Sequence, residues 1–276
     1  MITEKEWNSK IESLKIKGRS DKIILKQKII DAVKSRIPKK KFGIMFSGGV
    51  DSGLIALICK QMKANFICYA VGIENSTDVE AAKKAAKLLR VKLKFKIYSL
   101  EEAEAIFKKI IPIVGTDIVS VGVGAVVYAA ATLAKKDKVN YLFSGIGSEE
   151  IFAGYERHLV KDVNKECWNG LKAMYKRDLM RDLPIGKKLK IEYATPFLDD
   201  EVIKTAMQIP GNQKINKNYK KVVLREIAEE MGLDKSIAWR KKQAAQYGSK
   251  FDRAILRLAK RNKFKYKKEY IKHIVK

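Results

Sequence analysis

The stretch 42–58 constrains the fold more than any other. Three lysines at 39–41 precede a short apolar run, 42–46, and an apolar helical pattern begins at Leu54. Between them stands Phe46-Ser47-Gly48-Gly49-Val50-Asp51-Ser52, so the stretch reads as strand, tight loop, helix. Two glycines let the main chain come close to an anion, Ser47 and Ser52 offer hydroxyls, and the first amides of the new helix present its positive end. Residue chemistry alone therefore makes this a phosphate cradle. It is not the kinase-type loop, because no Gly-Lys-Ser/Thr closes the turn.

Beyond the loop the chain alternates. Residues 65–71, 91–97 and 140–143 read as strands, while 79–89, 101–111 and 124–134 read as helices. Alternation of this kind predicts an α/β fold with a doubly wound parallel sheet, helices on both faces and ligands at the carboxyl ends of the strands. Apolar positions at helical spacing around Trp7, Ile11 and Leu14, and again from Ile24 to Ile37, predict amphipathic helices before the loop. After Tyr155 the strand signal fades and a helical C-terminal lobe is expected. The predicted organisation is helices over 1–40, a nucleotide-binding domain over 41–250 whose helical lobe starts near 156, and a basic tail over 251–276.

Composition bounds the function. With 276 residues and 46% hydrophobic content the chain can bury a substantial core. Cys59, Cys68 and Cys167 lack any paired spacing, which argues against zinc and iron–sulfur sites and suits buried thiols in a reducing, cytoplasmic setting. The start, Met1-Ile2-Thr3-Glu4-Lys5, has no apolar leader. The uncharged run 118–134 is rich in Gly, Ala and Val and reads as a buried core helix, so no membrane contact is expected. The only histidines, His158 and His273, make a His-based triad improbable, and His158 is expected on a surface helix. The net charge of +27 attracts polyanions, and in 250–276 Phe264, Tyr266 and Tyr270 alternate with lysines as in a nucleic-acid face, with tRNA the candidate partner.

Phosphate chemistry at such a cradle calls for magnesium and for acids to hold it. Asp51 lies inside the cradle, and Glu149 and Glu150 follow a second glycine cluster, Ser144-Gly145-Ile146-Gly147-Ser148. The first loop resembles the SGG-x-DS motif of the PP-loop ATP pyrophosphatases, the adenine nucleotide α-hydrolase-like fold. Over residues 21–260 the chain is similar to the synthetase domain of the asparagine synthetase family. The stretch 144–155 resembles the family's SGEGSDE-[IVL]-FGGY. Glu192 with Pro196-Phe197-Leu198-Asp199 resembles LE-x-R-x-PFLD, Lys221 with Leu224-Arg225 resembles K-x-x-LR, and Trp239-Arg240-Lys241-Lys242 resembles the R-x-K segment.

The resemblance implies a five-stranded sheet and an ATP-dependent, AMP- and pyrophosphate-forming amide ligase that adenylates a small carboxylate for attack by ammonia or another amine. It implies Lys242, Glu192 and Asp51 as catalytic residues. Phe46, Ser47, Gly48, Gly49, Asp51, Ser52, Val71, Gly72, Asp78, Ser144, Gly145, Gly147, Lys221, Arg225 and Lys242 would bind ATP and pyrophosphate, and Asp51 and Glu149 would hold Mg2+. Full-length members carry a glutaminase domain before the loop, which here starts at residue 47. The expected nitrogen source is therefore free ammonia, another amine or a separate glutaminase subunit, and a homodimer is an open expectation. Ile146 stands where the family has a glutamate, and Gly122 and Ala194 where it has arginines, so aspartate is a doubtful substrate and a wider, more apolar pocket is expected. Two alternatives remain at this stage: adenylation of a tRNA base, and a nucleotide-binding scaffold that has lost amidation.

Overall fold

The computed structural model describes residues 2–241 and 243–274. Helices α1 (Glu4–Ser13) and α2 (Lys22–Lys34) lead to β1 (Phe42–Met45), α3 (Val50–Gln61), β2 (Phe66–Ile73), α4 (Thr77–Leu89) and β3 (Leu93–Tyr98). There follow α5 (Leu100–Val114), α6 (Ile118–Lys136), β4 (Tyr141–Phe143), α7 (Ser148–Ile151), α8 (Val163–Met174), α9 (Met180–Leu189) and β5 (Glu192–Ala194). The chain ends in α10 (Asp200–Gln208), α11 (Gly211–Lys214), α12 (Val222–Glu230), α13 (Lys235–Ala238), α14 (Ala245–Gly248), α15 (Phe251–Arg261) and α16 (Lys267–His273).

All strand pairs are parallel, in the order β3-β2-β1-β4-β5. Side chains alternate across the sheet, as the two-residue period of a strand requires. Phe66, Cys68 and Ala70 of β2 join the core beneath α2, α3 and α12, while Ile67, Tyr69, Val71 and Ile73 join the core beneath α5, α6 and α15. Both faces of the sheet are thus covered, and β2 is buried at every position. The uncharged run forms α6. Long and apolar enough by composition to cross a bilayer, it packs here against β2, α5, α9 and α15. At Gly124 a Cβ would stand in ordinary van der Waals contact with Ile185, Ile110 and Val114, at 3.4–3.5 Å.

Three expectations need correction. The segment after 250 is no tail, because Phe251, Ala254, Ile255, Leu258 and Ala259 recur at helical spacing and bury against α5 and α6. Tyr270 is buried too, its hydroxyl donating to Glu104 Oε1 at 2.7 Å, so of the three interleaved aromatics only Tyr266 is well exposed. His158 is fully buried, in a 3₁₀ turn, and its Nδ1 accepts from the Tyr155 N–H at 3.1 Å. Burial and the neighbouring cations Arg157 and Lys214 lower its pKa to about 4. The three cysteines are free and buried, and burial raises all three thiols; Cys59 reaches about 12.

Candidate active site

Strand β1 continues for one residue beyond its paired segment, the Phe46 N–H donating to the Tyr69 carbonyl at 2.8 Å. The chain then turns at Gly48, whose φ is +67°. A Cβ there would lie 2.5 Å from the Ala81 carbonyl of α4, so both the backbone conformation and the close approach require glycine. The Ser47 N–H donates to the Ser52 hydroxyl at 3.3 Å. Gly49 caps α3 without a side-chain acceptor, leaving the first amides of that helix directed at the space above the loop.

The second glycine loop leaves β4, the neighbour of β1 in the sheet. Gly147 turns with φ +92° against Leu198, and a Cβ on Gly145 would come within 3.0 Å of Asp51 Cβ. Ser144 Oγ accepts from the Ile146 N–H at 3.3 Å. The two loops therefore abut at the carboxyl edge of the sheet, as expected from two motifs that each follow a strand.

Helix α12 supplies the cation between them. Lys221 caps it in a left-handed conformation, φ +57°, and is buried. Its ammonium group donates to Asp51 Oδ1 at 2.8 Å, Asp51 Oδ2 at 2.9 Å and Ser148 Oγ at 3.1 Å, and it pairs with Glu149 Oε1 at 2.7 Å. Burial works against that charge, but the two carboxylates outweigh it and hold the pKa above the ordinary lysine value. Glu150 faces the other way, buried against Arg177, and burial together with Asp178 raises its pKa to about 7.

Arg225, one turn along α12, is tied to main-chain carbonyls. Its Nε donates to Lys220 at 2.7 Å and its Nη1 to Ala238 at 2.6 Å and Arg240 at 3.1 Å. Burial lowers its pKa. That tie sets Arg240, a residue the sequence marked only as part of a motif. Arg240 Nη1 donates to the Ser47 carbonyl at 3.1 Å, and Nη2 to Asp78 Oδ1 at 2.9 Å and the Thr77 carbonyl at 3.3 Å. Asp78 is buried beside Gly248, where a Cβ would meet its carboxylate at 2.3 Å. Ser76, not Asp78, caps α4, and Gly72 makes room for it at the end of β2 beside Val71. Lys242 lies outside the described residues.

Glu192 is not brought to this edge. It opens β5 in register with Tyr141, and Gly43 of β1 pairs with Leu142 of β4, which sets Glu192 level with Phe42. Four residues of strand, roughly 13 Å, separate that level from Phe46. Glu192 is exposed and borders a groove of about 480 Å³ with Lys40, Lys41, Asn140 and Lys190 at the amino edge of the sheet. Nor does Gly122 open room for substrate among the described residues: a Cβ there would meet Gln246 Cβ at 2.9 Å, so the buried Gln246 side chain occupies that space.

The asparagine synthase family profile matches residues 24–183 and 160–270. The chain belongs to the asparagine synthase family. Asparagine synthetase B (glutamine-hydrolysing) of Escherichia coli is 28% identical over 246 residues, covering 81% of this chain and 44% of that protein. A Methanocaldococcus jannaschii protein named as a glutamine-hydrolysing asparagine synthetase 1 is 35% identical over 272 residues, covering 83% and 49%. The chain thus spans about half the length of the curated relatives it matches. Among solved structures, NMN synthetase from Francisella tularensis superimposes with a TM-score of 0.46 at 12% identity, covering 92% of this chain and 93% of that one.

Proposed function

We propose that this asparagine synthase-family chain adenylates a carboxylate with ATP and passes the acyl group to an amine. In the first step a carboxylate oxygen attacks the α-phosphorus, the bond to the β-phosphate oxygen breaks, and pyrophosphate leaves. In the second an amine attacks the acyl carbon, AMP leaves with the electron pair of the broken C–O bond, and the amine proton passes to solvent or base. The observation that carries this reading is the meeting of two glycine loops around Lys221, Asp51 and Glu149 at the carboxyl edge of the sheet.

The first-turn amides of α3, with Ser47 and Ser52, would hold the leaving pyrophosphate. Arg240 fixes the loop by its hydrogen bond to the Ser47 carbonyl. Lys242, the lysine of the stretch that resembles the R-x-K segment, would neutralise charge on the α-phosphate. Asp51 and Glu149 supply hard oxygen donors, which suits magnesium, an ion that takes one or two carboxylates and completes its shell with phosphates and water. Magnesium would supply neutralisation of the charge that develops on the pyrophosphate.

The substrate proposed here is a carboxylate without a second charged group. Gly122 and Ala194 stand where the resemblance places arginines, Gln246 fills the space beside Gly122, and a buried charge with no partner costs several kcal/mol. The test is exchange of labelled pyrophosphate into ATP, with magnesium and a panel of carboxylates but no amine. Exchange with a carboxylate that carries no second charged group and none with aspartate supports the reading. Exchange with tRNA alone would move the chemistry to a nucleic-acid base, and exchange with no acceptor would contradict it.

A further inference from the structure

Helices that feed parallel strands end at the amino edge of the sheet, opposite the nucleotide loops. Five do so here, and all but α2 are closed in the same way. Lys63, Arg90, Lys138 and Lys190 follow the helical segments of α3, α4, α6 and α9 with φ between +52° and +58°. In each case the next residue returns an N–H to the last turn: Ala64 to Cys59, Val91 to Ala86, Val139 to Ala134, Ile191 to Gly186. This is the Schellman closure, whose left-handed position is usually glycine, because an L side chain there costs on the order of 1 kcal/mol. Away from the strands the same closure uses Gly232 after α12, φ +95°, with Leu233 bonding back to Ala228, and Lys263 after α15, φ +62°, with Phe264 bonding back to Ala259. At the sheet edge the chain forgoes glycine four times and places a cation each time.

A favourable helix dipole accounts for part of this, since cations near a helix C-terminus gain a few tenths of a kcal/mol. It does not account for where the charges stand. In the strand order β3-β2-β1-β4-β5 the lead-in turns carry Arg90, Lys63, Lys40 with Lys41, Lys138 and Lys190. Neighbouring strands lie about 4.8 Å apart, so the turns form a row roughly 19 Å long with a cation at every step. All six side chains are exposed, and among the described residues no ion pair joins any of them to a carboxylate. Two acids stand in the row: Asp137 is taken by Lys94 and the Tyr69 hydroxyl, and Glu192 lies exposed in the groove that Lys40, Lys41 and Lys190 border.

We propose that this row binds the sugar-phosphate backbone of a single-stranded nucleic acid without reading its sequence. The pitch carries the assignment. A nucleic-acid strand presents one charge about every 3.4 Å of rise, and flexible lysine stems bridge the difference from the strand spacing. An acidic protein surface presents no such regular line of charge. The proposal is independent of the ligase reading, because the row and the nucleotide loops lie at opposite edges of the sheet.

The test uses the full chain and fluorescence anisotropy with a short labelled single-stranded RNA of mixed sequence, titrated across salt from about 50 mM upward. The deciding variant carries Lys63→Gly, Arg90→Gly, Lys138→Gly and Lys190→Gly, changes that suit the left-handed positions and preserve folding. Its matched control carries Lys260→Gln, Lys263→Gly, Lys265→Gln and Lys268→Gln on the last two helices and the turn between them. The expected result is salt-dependent binding by the parent chain, a loss of at least about tenfold in the edge variant, and a slope of log K against log salt smaller by about 3, near 0.7 per phosphate contact. Pyrophosphate exchange stays unchanged. Absence of binding at low salt, an equal loss in the control, or equal displacement of RNA by polyglutamate of matched charge overturns the proposal.

Discussion

At the carboxyl edge of the sheet Lys221 is enclosed by Asp51, Glu149 and Ser148, whereas at the amino edge Lys63, Arg90, Lys138 and Lys190 face solvent with no carboxylate paired to them among the described residues. Both edges use left-handed backbone, but for opposite ends. Gly48 and Gly147 bring main chain close to main chain or to a packed side chain and open a cradle. The basic residues of the other edge hold side chains outward at places where glycine would be cheaper. A cation that is buried and paired fixes geometry, while one that is exposed and unpaired lends only its field, which salt screens over about 10 Å.

The largest expected effect breaks the buried side of this comparison. Lys221→Met leaves Asp51 and Glu149 facing each other without their shared cation and should cost about 3–5 kcal/mol of stability in denaturant titration, with loss of adenylation. Unchanged stability would mean that the cluster does not hold the two loops together. Gly48→Ala comes next. Strain at a left-handed position and the clash with Ala81 should cost about 1–3 kcal/mol, and ATP affinity measured by calorimetry should fall at least about tenfold.

A smaller effect belongs to Arg240→Gln, which removes the pair with Asp78 and the hold on Ser47 while leaving Lys221 in place. ATP binding should weaken by about 1.5–3 kcal/mol, the worth of hydrogen bonds to a charged group, and unfolding free energy should fall as well, by less than for Lys221→Met, because the change takes this cation from the buried Asp78 carboxylate. The smallest effect sharpens the exposed side. Lys138→Gly should raise stability by about 1 kcal/mol or less, since it relieves a left-handed residue and loses only a screened charge. A fall in stability would mean that Lys138 makes a contact worth more than its strain.

Much of this arrangement was legible in the residues, and the exceptions have physical reasons. Loop 46–52 declares itself because glycine, serine and a following apolar helix together leave few alternatives. Lys221 and Arg225 could be picked out by motif, but their tasks could not. That one bridges two carboxylates while the other ties down main-chain carbonyls depends on contacts about 170 residues and about 15 residues away in sequence, which no local pattern encodes. Strand β5 escaped because three residues carry no period, and with it went the placement of Glu192, whose distance from the loop follows from register alone. The last helices read as a basic tail because eleven cations masked a five-residue apolar stripe. The amino-edge row was invisible for another reason: Lys63, Arg90, Lys138 and Lys190 are far apart in sequence and come together only through the parallel order of the strands.

The most direct test of the central claim is the identity of the products when the chain turns over ATP with magnesium, an accepted carboxylate and ammonium. Chromatographic separation of nucleotides with a pyrophosphate-specific assay should give AMP and pyrophosphate in equal amounts with the amide. ADP and orthophosphate in their place would show cleavage at the γ-phosphate, and would contradict the assignment of the two glycine loops around Lys221 as a pyrophosphate-releasing site.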